Sequence, residues 1–168
     1  GQAYTTCFFF FFINNSTQYF FFQQVGKAFK AGLKQIAFGN EKYYYFFQNN
    51  GRACKVAWKT INNKKYYFTS NGRAAKNIFI TFGNSRYYFN SGSYVTTNGW
   101  FCVGNGYYYA NADGVLATNR VVEGYKLDAY GKSTTKYRII QYVNAHTNSS
   151  MTDQQKIQAL YNWILNNN

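Results

Sequence analysis

The side chains that ordinarily carry covalent or acid–base chemistry are sparse in this chain. His146 is the single histidine among 168 residues, and only five residues are acidic. No acidic residue lies near His146 in sequence. There are no paired carboxylates and no nucleophile elbow, and Gly104-Asn105-Gly106 reads as a turn and not as a phosphate cradle. Cys7, Cys54 and Cys102 form no CxxC. They also stand at different places relative to the glycine before them, which argues against a metal knuckle and against a ladder of disulfides. The expectation is therefore no catalytic residue, no metal and no cofactor. What the chain offers instead is rings and cations. The candidate ligand-binding residues are Trp58, Tyr66, Tyr67, Tyr87, Tyr88, Trp100, Tyr107 and Tyr108, with Lys65 and Arg86. Ring faces stack on sugars or hold cations, while Lys and Arg hold anionic groups.

Those rings recur. Paired aromatics begin at 45, 66, 87 and 108, so the copies are 21 residues apart. Six residues after the first ring stands a glycine (Gly51, Gly72, Gly114) or, once, Ser93. Earlier and later copies are Phe20-Phe21-Phe22 with Gly26, and Tyr125 with Gly131. A fixed period near 20 is the signature of a repeat array. Between the arms stand Asn14-Asn15, Gly39-Asn40, Asn62-Asn63, Gly83-Asn84 and Gly104-Asn105. Asn and Gly tolerate the positive φ of a two-residue hairpin turn, so each repeat is expected to be one β-hairpin plus a connecting turn. A lone hairpin is unstable in water, so neighbours must stack. Strand alternation would then bury one ring of each pair and leave its partner at the surface.

The first two repeats are about 25 residues long, with two extra residues in each arm. Adding two residues preserves which face each side chain takes. Longer hairpins are expected there, not broken ones. The insertions bring the runs FFFFFI, YFFF and YYYFF, which are β-prone and sticky if exposed. The expected architecture is thus mostly β: a β-solenoid of stacked hairpins over 1–131, followed by a short helical segment over 132–168. In that tail Thr152 can cap a helix with Gln155 at its third position, and Ile157, Leu160, Tyr161 and Ile164 share one face.

The formal net charge is +13. Such a surface attracts polyanions. Its basic residues recur along the repeats (Lys64, Lys65, Arg86; Arg52, Arg73) and do not gather in the one patch of a sequence-specific DNA reader, so no nucleic-acid partner is expected. The run CFFFFFI at 7–13 is too short to span a bilayer. Without an initiator Met or a signal peptide, the chain reads as a piece of a longer mature protein.

The stretches KTINNKKYYFTSNGRAAKN and GWFCVGNGYYYANADGVLATN resemble the cell-wall-binding repeats of Gram-positive surface proteins. These include choline-binding and glucan-binding repeats and the repeats of clostridial toxins. The resemblance covers roughly residues 1 to 131 and is specific from 58 onward. It implies a β-solenoid that is extracellular and holds its host on a cell-wall polysaccharide or a teichoic-acid-like polyanion. Choline binding implies an aromatic before the paired tyrosines, but Lys65 and Arg86 stand there. Only Tyr107 is aromatic, so one choline site near Trp100 and Tyr107 is the most the resemblance allows. The tail MTDQQKIQALYNWILNN resembles the opening helix of bacterial transglutaminase-like domains, whose catalytic residues would lie beyond Asn168. The alternative function is structural: a spacer, or a homo-oligomer assembled through the aromatic-rich first repeats.

Overall fold

The computed structural model describes residues 7–13, 16–22 and 31–166, the first two stretches through their backbone alone. The turn expected at Asn14-Asn15 and the copy glycine Gly26 lie outside the described residues. Hairpins follow one another along the chain: β1 (Cys7–Ile13) with β2 (Ser16–Phe22), β3 (Gly32–Phe38) with β4 (Glu41–Phe47), and β5 (Ala57–Ile61) with β6 (Lys64–Phe68). Then come β7 (Ile78–Phe82) with β8 (Ser85–Phe89), β9 (Gly99–Val103) with β10 (Gly106–Ala110), and the short pair β11 (Val121–Val122) with β12 (Tyr125–Lys126). Two helices close the chain, α1 (Thr134–His146) and α2 (Asp153–Asn166). The chain forms two compact units, residues 1–80 with 88–96, and residues 81–87 with 97–168.

The hairpin turns obey their sequences. Asn62 and Asn63 both have positive φ, 49° and 60°, the pattern of a type I′ turn. Where Gly leads, at Gly39, Gly83 and Gly104, only that first residue is left-handed, the pattern of type II′. The strands of the first two hairpins have 7 residues and those of the next three have 5, so the inserted residues lengthen the arms as expected.

Each linker turns at a left-handed residue. Gly51, Gly72, Gly114 and Gly131 have φ between 77° and 83°, and Ser93 takes φ 66° in the same role. In each case that residue's N–H donates to the carbonyl three residues earlier (Gln48, Thr69, Asn90, Asn111, Asp128), at 2.9–3.0 Å. An Asn or Asp side chain seconds most of these turns, as Asn71 Oδ1 does by accepting from Arg73 N at 3.0 Å. The turn sends the next residues back across the stack. Ala74 N–H donates to Tyr44 O, Val95 to Lys65 O, Leu116 to Arg86 O and Ser133 to Tyr107 O, each at 2.8 Å.

Burial follows the same period. The third residue of each aromatic triplet, Phe47, Phe68, Phe89 or Ala110, is 0% exposed. It bridges to Ala53, Ala74, Val95 or Leu116, which are themselves buried. The first ring is buried in Tyr45, Tyr66 and Tyr108, whereas Tyr87 is half-buried. The middle rings Phe46, Tyr67, Tyr88 and Tyr109 are half-buried on the other face. So the core takes the first and third positions, and the alternation expected of a strand holds over three residues rather than two.

A second left-handed residue recurs before each hairpin from the second onward, at Ala31, Val56, Asn77, Asn98 and Asn119, with φ from 48° to 57°. Each donates its N–H across to the end of its own hairpin, at 2.9–3.4 Å. Asn suits this conformation, but Val is β-branched and costs more there. Val56 is 66% exposed, so its side chain gains little from packing.

The helices begin at defined caps. Ser133 Oγ accepts from Lys136 N at 3.3 Å. Thr152 and Gln155 form the expected capping box, with Gln155 Oε1 accepting from Thr152 N at 2.8 Å and Thr152 Oγ1 from Gln155 N at 3.3 Å. Tyr142 of α1 packs on Trp163 of α2 and donates its hydroxyl to Ala159 O at 3.3 Å. That contact uses a different face of α2 from the one carrying Ile157, Tyr161 and Ile164, which remain exposed.

Val56→Asn should raise stability by about 1 kcal/mol, because it removes left-handed strain at a solvent-exposed position. Phe68→Ala should cost about 3–5 kcal/mol through the cavity it leaves. Urea unfolding of the two variants beside the parent chain checks both signs.

Candidate functional site: cations on ring faces

The half-buried rings are not bare. Lys65 Nζ sits 4.7 Å from the centroid of Trp58. Trp58 lies opposite Tyr67 in the hairpin register, and Lys65 is two residues before Tyr67 on the same face of β6. The ring of Trp58 also meets Tyr67 at 5.3 Å and Phe89 at 5.7 Å. Lys64 Nζ lies 4.4 Å from Tyr94, and Lys59 Nζ 5.4 Å from Phe46. Arg73 stacks over Tyr43 at 4.0 Å, while its Nε–H donates to Tyr45 Oη at 3.1 Å. Arg86 lies 5.5 Å from Tyr130. Cation–ring contacts of this kind contribute about 0.5–1 kcal/mol each at exposed sites.

Trp100 departs from this scheme. The position that holds Lys65 beside Trp58 is occupied by Tyr107 beside Trp100. The ring of Trp100 meets Tyr109 at 5.4 Å and Tyr125 at 5.8 Å, both nearly edge-on. Its Nε1–H donates to Glu123 Oε2 at 2.8 Å, which fixes the ring. Tyr107 turns to Tyr137 of α1, 6.5 Å away. Into the corner between Trp100 and Tyr125 reaches Lys136 from the first turn of α1, with Nζ 4.5 Å and 4.0 Å from the two centroids. Sequence reading missed both Tyr125 and Lys136. Tyr125 was visible as the degenerate repeat copy, but nothing in the order of residues points to Lys136.

The expected site residues thus divide. Trp58, Tyr67, Tyr88, Trp100 and Tyr107 are half-buried rings, and Lys65, Arg86 and Tyr87 are likewise half-buried. Tyr66 and Tyr108 are core rings, 6% and 8% exposed. Burial pushes both phenols above their ordinary value, with Tyr44 and Tyr94 adding to the effect at Tyr66 and Arg86 opposing it at Tyr108. Burial also raises the Cys54 thiol, against the pull of Lys59. His146 stacks on Tyr142 at 3.9 Å, and its Nδ1 lies 2.9 Å from Tyr142 O, a contact within one helix. Among the described residues no cluster of three potential metal ligands occurs.

The choline-binding repeat family matches residues 55–100, and the cell wall binding repeat matches residues 98–116. Residues 55–116 thus carry choline-binding-like cell-wall-binding repeats. The fold is that of choline binding protein F from Streptococcus pneumoniae, at 29% identity and a TM-score of 0.57 over 74% of this chain. The match takes in 39% of that protein, so this chain corresponds to well under half of its length. The choline binding domain of Spr1274 from Streptococcus pneumoniae is 33% identical, over 46% of this chain and 93% of that domain, with a TM-score of 0.44. A cell wall endolysin from phage Cp-1, solved with choline, shares the fold at 24% identity and a TM-score of 0.50, over 67% of this chain and 31% of that one. No curated protein matches the sequence. Repeats of this family are binding modules and not catalytic ones.

Because the phenols of Tyr66 and Tyr108 and the thiol of Cys54 are all raised by folding, each contributes stability that is complete below its unfolded value. That contribution falls once the pH rises past about 8.5 for the thiol and about 10 for the phenols. Thermal unfolding between pH 7 and 11 should show a midpoint that declines from about pH 8.5 upward. In the folded chain at pH 8, a thiol-reactive dye should label exposed Cys102 well before buried Cys54.

Proposed function

We propose that residues 1–131 form a stacked-hairpin solenoid of the cell-wall-binding type, with 132–168 as a separate helical segment. The solenoid is an extracellular, non-catalytic module that holds a Gram-positive surface protein on an anionic wall polymer or glycan. The observation that carries this reading is the pairing of Lys65 with Trp58, where an ammonium and a ring share one half-buried face. A polymer alternating sugars with phosphates presents flat rings to stack and anions to neutralise. The contacts fall to Trp58, Tyr67, Tyr87, Tyr88, Trp100 and Tyr107, with Lys65 and Arg86 meeting the anions. Tyr66 and Tyr108 support these rings from the core.

A second reading is favoured by one place. At Trp100 the flanking position carries Tyr107 in place of a cation, so a quaternary ammonium headgroup of the same wall polymer suits that corner alone. Self-association through the first repeats would engage residues whose side chains mostly lie outside those described.

The test is sedimentation of the chain with purified Gram-positive walls, before and after removal of their anionic polymers, in rising salt. Salt-sensitive binding that disappears with the polymers is expected. Lys65→Ala with Arg86→Ala should weaken it up to about thirtyfold, since each of the two cations contributes about 1 kcal/mol or less. Undiminished binding to polymer-free walls would replace the anionic ligand with the glycan, and assembly without wall binding would replace both with the structural reading.

A further inference from the structure

The Lys136 side chain reaches a ring corner beside which the hairpin carries Tyr107 in place of a cation. We propose that Lys136 is a built-in competitor: it fills the Trp100–Tyr125 corner, and a quaternary ammonium ligand binds there only by displacing it. The inference rests on the wall-binding reading for its biological ligand, but its physics stands on this corner alone.

Three observations support it. The two rings meet at 81°, and the ammonium lies within 4.5 Å of both centroids, a two-walled seat for a cation. Trp100 is held in that attitude by its bond to Glu123, so the seat persists whatever occupies it. Lys136 is also poorly placed for anything else. It stands in the first turn of α1, which contains no acidic residue, and a cation there opposes the helix dipole. None of the ion pairs among the described residues involves it. The rings are the favourable partners its charge has.

The lysine is tethered to the repeat stack through Ser133, whose backbone exchanges hydrogen bonds with Tyr107. A tethered competitor acts at an effective concentration in the millimolar range. A free ligand therefore binds more weakly than the bare corner would allow. By linkage, the ligand must weaken the contact of Lys136 with the rings by the same factor.

The experiment is calorimetric titration of the whole chain with choline chloride, comparing the parent with Lys136→Met, Lys136→Arg, and Lys136→Met combined with Trp100→Ala. Met keeps the length of the stem and removes the charge. Lys136→Met should bind choline about five- to tenfold more tightly than the parent. Lys136→Arg should stay near the parent, and the double variant should lose the gain. Equal affinity for parent and Lys136→Met within twofold, or no choline binding by either, overturns the proposal. Should Lys136→Met not fold, reductive methylation of the parent serves instead, followed residue by residue by mass spectrometry. Lys136 should react more slowly than exposed Lys126, and saturating choline should speed it; a rate indifferent to choline overturns the proposal. Wall sedimentation of Lys136→Met separates the two ideas. Tighter choline binding without salt-sensitive wall binding removes the anionic-polymer reading alone, and the reverse removes the competitor alone.

Discussion

The structure depends on one backbone hydrogen bond, repeated. After each hairpin the linker must hand an amide to a carbonyl of the hairpin before it, as Ala74 does to Tyr44 and Leu116 to Arg86. A buried amide without a partner is costly, and a single hairpin cannot bury enough to stand alone. The bond answers both problems, but the chain can deliver it only after reversing sharply within a few residues. The left-handed residue of the linker makes that reversal, so Gly is the natural occupant there. At Gly131 the demand is also steric: a Cβ would come within 2.8 Å of Ala117 O. The small or branched residue that follows, Ala53, Ala74, Val95 or Leu116, then closes over the innermost strand residue of its own repeat, Phe47, Phe68, Phe89 or Ala110. Period, glycine and buried ring are three consequences of one bond.

Burying two aromatics per repeat leaves a third, half-exposed, along one face. In a chain with 18 Lys and Arg and only five acids, the cations find rings where they lack carboxylates. The ammonium of Lys65 on Trp58 and that of Lys59 on Phe46 are examples. Such pairs put apolar and positive surface side by side, and on the proposed wall-binding reading they meet an extended anionic chain that brings its own sugars. The Trp100 corner departs from this through a single difference, Tyr107 in the place of Lys65, and there the helix supplies the missing charge through Lys136.

Much of the hairpin geometry was legible in the order of residues. Asn62-Asn63 and the Gly-led turns specify reversal because few other residues accept positive φ. The longer arms of the second repeat kept their facing, with Tyr45 and Phe47 buried and Phe46 between them half-buried, because two residues were added and strand side chains alternate with period two. Thr152 and Gln155 announced their capping box through a spacing of three. Less legible was the division of labour among adjacent rings. A pair was expected to split into core and surface, and Tyr66 with Tyr67 does so, but the third ring, Phe68, is buried as well. The pair is part of a triplet whose outer members face inward. The second left-handed position also escaped notice, since Ala31 and Val56 conceal a pattern that Asn77, Asn98 and Asn119 display.

By itself the sequence determined the repeat, its turns, the lengths of its hairpins and the absence of a familiar catalytic motif, because all of these follow from local backbone preference and residue chemistry. Tertiary structure alone decided which ring faces are open and which are occupied. Alternation assigns a side chain to a face of its strand, but the covering of that face depends on whatever distant residue the packing brings over it. Lys136 is 36 positions beyond Trp100 and on a helix, so no local rule places its charge there. It is that placement which separates a vacant cation corner from one already filled.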